Sequence, residues 1–130
     1  MNGKQYLASG GQDKTIKLWD GLVATTLTDT DPVYALASYI QNGVQMLTSG
    51  GNANKIKIWD LSKNTMLQTL SIQSRSIHSL KVYAKDDQII LFGGSRNGNI
   101  ELWDLNTLSL LTMLKGHNNL VDALSLYHKN

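Results

Sequence analysis

The chain has 130 residues, 42% hydrophobic and 17% charged, the balance of one globular domain that can bury an ordinary core. Lys+Arg 12 against Asp+Glu 10 leaves a net +2, and the basic residues are scattered singly, which argues against nucleic acid as the main partner. With no cysteine there is no disulfide, thiolate zinc site or cysteine nucleophile, which fits a reducing, cytoplasmic setting with the nucleus as the alternative.

The start, MNGKQY, lacks the apolar core of a signal peptide, and the apolar run Ile89 to Phe92 is far short of a membrane span. Residues 5–9 are expected to form a short strand, 10–14 a Gly-rich turn, 15–19 a second strand and 23–27 a third. Asp29-Thr30-Asp31-Pro32 is a turn, because these residue types bond their own backbone or preset φ. The pattern then runs through 33–39, a turn at 41–43, 44–49, a turn at 50–54, 55–59 and 66–70. It returns over 77–83, 89–93, 99–103 and 108–114. A last segment, 116–127, contains Val121 to Tyr127, which match Val33 to Tyr39 and are expected to be a further strand. Segments about five residues long, rich in Ile, Leu, Thr and Tyr and separated by Gly, Asn and Asp, predict an all-β fold.

Three stretches are versions of one another: LASGGQDKTIKLWD (7–20), LTSGGNANKIKIWD (47–60) and LFGGSRNGNIELWD (91–104). Their tryptophans, Trp19, Trp59 and Trp103, are 40 and 44 residues apart, a period that signals repeat architecture. A small-Gly-Gly turn, an apolar strand, Trp-Asp and then a Gly-His pair before the next strand resemble the WD40 repeat family. The resemblance covers nearly the whole chain as a single unit, with repeats at about 5–30, 31–74 and 75–115 and an extra strand at 116–127.

The resemblance implies a β-propeller, whose blades are four-stranded antiparallel sheets, a innermost and d outermost, around a channel. The chain then runs b-c-d, a-b-c-d, a-b-c-d, a. The family's structural tetrad links a loop His, a strand-b Ser or Thr, a turn Asp and the strand-c Trp. The one complete set here is Ser9, Asp13, Trp19 and His117, which requires the last strand to join the first three. The other two repeats lack members of the network. Three blades are too few for a ring, so the resemblance implies completion by the rest of a longer chain or by a homo-oligomer. Two copies making six blades are favoured and three copies making nine are the alternative.

In the family, partners dock on the face carrying the d–a and b–c loops. Carried over residue by residue, the candidate positions are Tyr34, His78 and Asp122 with Gln12, Asn52 and Arg96. This mixture of aromatic, titratable, acidic and basic side chains suits a protein or peptide partner. The expected function is therefore a non-catalytic protein-interaction scaffold. A propeller that binds a sugar or metal in its channel is the alternative.

No cofactor, catalytic residue or metal site is assigned. The Gly-rich turns lack the Gly-Lys-Ser/Thr spacing and the following helix of a phosphate loop. His78, His117 and His128 are too few and too scattered for a His-rich zinc site. Asp29 and Asp31 read as a capped turn rather than a cation site. Lys17, Lys57 and Glu101, at one equivalent position, read as solvated or snorkelling side chains. Leu22, Ser62 and Asn106 stand where the cullin-ligase receptors of the family carry Arg, which argues against that subclass.

Overall fold

Residues 5–129 are described by a computed structural model. They hold eleven strands in three antiparallel sheets. The first sheet is β1 (Leu7–Gly10), β2 (Thr15–Asp20) and β3 (Val23–Thr28), in the order β1-β2-β3. The second is β4 (Val33–Gln41), β5 (Val44–Gly51), β6 (Lys55–Asp60) and β7 (Thr65–Ser71), again in chain order. The third repeats this with β8 (Ile77–Lys85), β9 (Gln88–Ser95), β10 (Asn99–Asp104) and β11 (Ser109–Lys115).

Turn chemistry sets these meanders. Gln41 pairs with Val44, so Asn42-Gly43 is a two-residue hairpin, and both residues have positive φ (52° and 77°). That is the type I′ geometry whose twist matches flanking strands. The register repeats as well. Ser9 faces Lys17, Ser49 faces Lys57 and Gly93 faces Glu101.

The sheets stack face to face, and their apolar faces meet in two clusters. Between the first and second lie Ile16, Leu27, Val33, Leu47 and Trp59. Between the second and third lie Tyr39, Met46, Ile58, Leu80, Leu91 and Trp103, among others. Burial pushes the Tyr39 phenol up to about 12 by desolvating its charged form. Where no sheet precedes among the described residues, the equivalent side chain is bare. Leu7 is 65% exposed, whereas Leu47 and Leu91 at the same station are 2% and 0%.

The sheet-to-sheet spacing is set at one recurring contact. A Cβ on Gly10 would collide with Val33, one on Gly50 with Ile77 and one on Gly94 with Val121. Each glycine thus lets the first residue of the next segment sit directly on the preceding sheet.

The strand expected over 116–127 does not form: residues 116–129 carry no strand ladder. A strand needs a neighbour with matching register, and the first sheet, whose β1 edge is unpaired among the described residues, lies at the other end of the stack. The segment is nevertheless anchored as an inner strand would be. Val121 N donates to Ser95 O at 3.0 Å, as Val33 N does to Gly11 O at 3.0 Å.

Candidate functional site

One face of the stack is built by the connections between sheets and by the tight turns inside them. Backbone bonds tie the two kinds of loop together: Asp29 N to Lys14 O (2.8 Å), Ile72 N to Asn54 O (3.0 Å) and His117 N to Gly98 O (3.4 Å). Each inter-sheet loop is therefore held against the turn beside it, and side chains of both project on one side.

Below this face lies a polar layer that differs in every repeat. In the second sheet Trp59 Nε1 donates to Ser49 Oγ at 2.9 Å, with both residues buried. Lys57 is buried too, and its Nζ forms an ion pair with Asp29 and a longer one with Asp31 (3.4 Å). Asp29 Oδ1 also accepts from Thr30 N (2.6 Å) and Asp31 N (3.2 Å), so the expected capped turn is present and a buried cation pins it. Asp31 is held below the usual carboxylate range, first by its bond from Thr30 and then by Lys57.

In the third sheet Gly93 offers no hydroxyl. Glu101, directly opposite it, accepts from Trp103 Nε1 (3.2 Å) through one oxygen and from Gln73 N (3.3 Å) through the other. Glu101 is buried, and desolvation raises its carboxyl above the ordinary value against the pull of both donors. The solvated reading of Lys57 and Glu101 is thus corrected. A strand-c charge replaces the absent histidine link by binding the incoming loop itself. Only Lys17 of the three is half-exposed, donating to Thr26 Oγ1 at 2.9 Å.

The first sheet keeps Trp19 Nε1 to Ser9 Oγ at 2.9 Å, and Asp13 caps its turn by accepting from Thr15 N and Oγ1. His117 does not join them within one chain. It lies at the other end of the stack, with its carbonyl against Gly98 of the third sheet. The four expected members are therefore separated, because the segment carrying His117 follows β11 rather than preceding β1.

Of the candidate surface residues, two are brought into contact. Tyr34, at the start of β4, and His78, at the start of β8, stack with ring centroids 4.9 Å apart and planes at 23°. His78 Nε2 also shares a hydrogen bond with Ser76 Oγ (3.0 Å). Such a pair is worth about 1 kcal/mol beyond its buried area and presents a flat, partly exposed platform. Gln12, Asn52 and Arg96 are exposed in their turns, and Asp122 is exposed on the terminal segment.

Beside Arg96 lies a cleft of about 380 Å³ formed with Gln73, Ser74, Arg75 and Asn97. Ser74 Oγ is buried there without a hydrogen-bond partner. Arg75 and Ser74 escape a reading by repeat equivalence, because Arg75 stands where the preceding loop has Asp31. That reversal of charge was the available signal.

No group of three or more His, Asp or Glu side chains that could hold a metal occurs among the described residues. No helix there is long and apolar enough to cross a membrane.

The family model described as WD domain, G-beta repeat matches residues 2–20 and 22–60. Residues 2–20 and 22–60 thus carry WD40 repeats. A solved structure titled "Structure of U3-55K" is similar at 27% identity and a TM-score of 0.72, over 90% of this chain and 36% of that one. The chain thus spans about a third of that structure's length. No curated protein matches it. The three sheets are blades of a partial WD40 propeller, β4 and β8 their inner strands and β7 and β11 their outer ones. WD40 repeats in general serve as protein-binding scaffolds without catalysis.

Proposed function

We propose that these blades form part of a non-catalytic scaffold that binds a protein or peptide on its loop face. The ring is completed by further blades, from another copy or from a longer chain. The observation that supports the reading best is the Tyr34–His78 stack. It spans the boundary between two blades, and Arg75 and Arg96 line a cleft formed by the loop before β8 and the turn between β9 and β10. An aromatic anchor and two arginines among these loops suit a segment that offers one apolar side chain and one carboxylate. Arginine binds a carboxylate in a two-point fork, and the buried Ser74 hydroxyl supplies a further donor at the cleft wall. A cytoplasmic location, with the nucleus as the alternative, belongs to this reading and is checked by imaging a tagged full-length protein.

The test is binding to a peptide library rich in acidic and aromatic residues, read by fluorescence anisotropy. Tyr34→Ala and Arg96→Ala are each expected to weaken the selected peptide by about tenfold, the cost of losing one anchor. The unfolding midpoint should stay near that of the parent, because both residues are exposed. Equal affinity in parent and variants refutes the assignment of this face.

A further inference from the structure

The loop before β8 reverses the charge of its counterpart before β4. Asp29, Thr30 and Asp31 recur 44 residues on as Gln73, Ser74 and Arg75, and Asn52 recurs as Arg96. The strand charge beside each loop reverses too: Lys57 in the second blade is a buried cation, and Glu101 in the third a buried acid.

The two arrangements differ in whether the loop charges are matched within the chain. In the second blade both loop carboxylates pair with Lys57. In the third, Glu101 is turned inward and accepts from Trp103 Nε1 and Gln73 N. Arg75 and Arg96 are exposed, and neither guanidinium has an ion pair or hydrogen bond among the described residues. Both line one cleft of about 380 Å³ with Gln73, Ser74 and Asn97.

The same corner holds the unpaired interior hydroxyls. Among the described residues, Ser74 Oγ and Ser95 Oγ are the buried side-chain polar atoms without a hydrogen-bond partner. Ser74 precedes Arg75 and lines the cleft, and Ser95 precedes Arg96 at the end of β9. An orphaned buried hydroxyl is costly, so two of them beside one cleft are donors kept for a ligand. The walls are also fixed. Arg96 N donates to Ser76 O at 3.1 Å, which ties the turn between β9 and β10 to the loop before β8. A ligand thus meets groups that the backbone has already placed.

We infer that this cleft binds a phosphomonoester, carried on a serine or threonine side chain of the peptide that the loop face engages. The inference rests on the scaffold reading and sharpens it by naming the anion. A carboxylate brings one negative charge and two oxygens in a plane, which a single guanidinium fork satisfies. A phosphomonoester brings a charge of about −1.5 to −2 and three diverging terminal oxygens. Two guanidinium groups from different loops match it in charge. The Ser74 hydroxyl, which no acceptor holds, is free to turn to it. Asn97 Oδ1 is engaged by Asn99 N, which leaves the amide NH₂ to donate as well.

The neighbouring loops favour one phosphate on a peptide over a membrane or a polynucleotide. Asp31 stands one blade back, Asp122 on the segment that follows, and Gln12 and Asn52 where the other blades match Arg96. A polyanionic surface needs a run of cations, and this face offers one pair.

The test uses the full-length protein and one selected peptide made with serine, glutamate or phosphoserine at a single position. The phosphoserine form is expected to bind about tenfold tighter than the glutamate form, the worth of one further charge-assisted bond. Arg75→Gln and Arg96→Gln should each abolish that preference. Lys85→Gln, at the far end of β8, should leave it unchanged. Ser74→Ala should weaken the phosphoserine form alone, without lowering the unfolding midpoint, because its hydroxyl has no partner to lose.

Equal affinity for the glutamate and phosphoserine forms, or a preference that survives both arginine substitutions, overturns the inference. So does phosphate-dependent binding confined to phosphatidylcholine vesicles doped with a phosphoinositide, or to a single-stranded oligonucleotide. Phosphorus NMR of N-acetyl-O-phosphoserine amide reads the cleft without any peptide. Arginine-dependent broadening of its signal with no peptide bound sinks the scaffold reading alone. Peptide binding indifferent to phosphate sinks the phosphomonoester alone.

Discussion

Lys57 and Asp29, 28 residues apart in sequence, form a buried ion pair that holds the loop before the second blade against that blade's third strand. Both side chains are less than a tenth exposed. Removing one partner leaves the other charge desolvated and alone, which costs about 3 kcal/mol. Lys57→Met and Asp29→Leu are each expected to lose this much by chemical denaturation. The double substitution should lose clearly less than the two combined, since no lone charge remains. Additive losses would mean that the pair is not coupled.

Glu101 makes stability depend on pH in a direction opposite to that of a salt-bridged carboxylate. Desolvation raises its folded-state value above the ordinary 4.5, so between 4.5 and that raised value the folded protein binds more protons than the unfolded chain. The group's contribution is present in full below 4.5 and is lost as pH rises through the folded value. The lowered Asp31 and Asp60 act the other way and lose their contribution as pH falls. Glu101 is therefore isolated by difference. Subtracting the stability of Glu101→Gln from that of the parent should give a curve that declines from pH 4.5 upward. A flat difference would show that the carboxyl is not desolvated in solution.

The same indole-to-hydroxyl bond occurs twice in different surroundings. Trp59 and Ser49 are buried, while Trp19 and Ser9 are half-exposed. Removing a hydroxyl leaves the indole donor unsatisfied, which costs about 1–3 kcal/mol where water cannot reach it and less where it can. Ser49→Ala should thus destabilise by about 2 kcal/mol and Ser9→Ala by less than about 1 kcal/mol. Equal losses would show that the first blade is covered in solution as the second is.

Gly94 tests how the terminal segment is held. An added Cβ meets Ser79 Oγ and both the side chain and carbonyl of Val121. Gly94→Ala is expected to release residues 121–129, read as faster cleavage there by a protease of broad specificity while strands β8 to β11 stay protected. Parent-like cleavage would mean that Val121 is not seated on the third blade.

Much of the fold was legible from local chemistry. The tight turns at Asn42-Gly43 and Asp86, both with positive φ, punctuate strands of period two, and three copies of one motif give the sheet count. Such signals depend on neighbours in sequence, so the chain reveals them without a structure. The residue types of the loop face, Tyr34, His78 and Arg96, were legible for the same reason, because each holds a repeat-equivalent station. The stacking of two of them was not, since it depends on how two blades pack.

The polar layer under that face was misread for a related reason. A lysine on a strand looks solvated until the loop carrying Asp29 folds over it. A glutamate looks exposed until Gly93, opposite, leaves an indole without its hydroxyl. Burial is a property of the stack and not of any window of residues.

The sequence by itself determined the strands, their turns, their order and the spacing of Tyr39, Tyr83 and Tyr127, because all of these follow from periodicity. Only the tertiary structure decided that Lys57 and Glu101 are interior groups, that His117 lies far from Ser9, and that residues 116–129 stay without a ladder. Those outcomes turn on which surfaces meet. A strand with a perfect pattern still needs an edge within reach, and in a single chain the matching edge is two blades away.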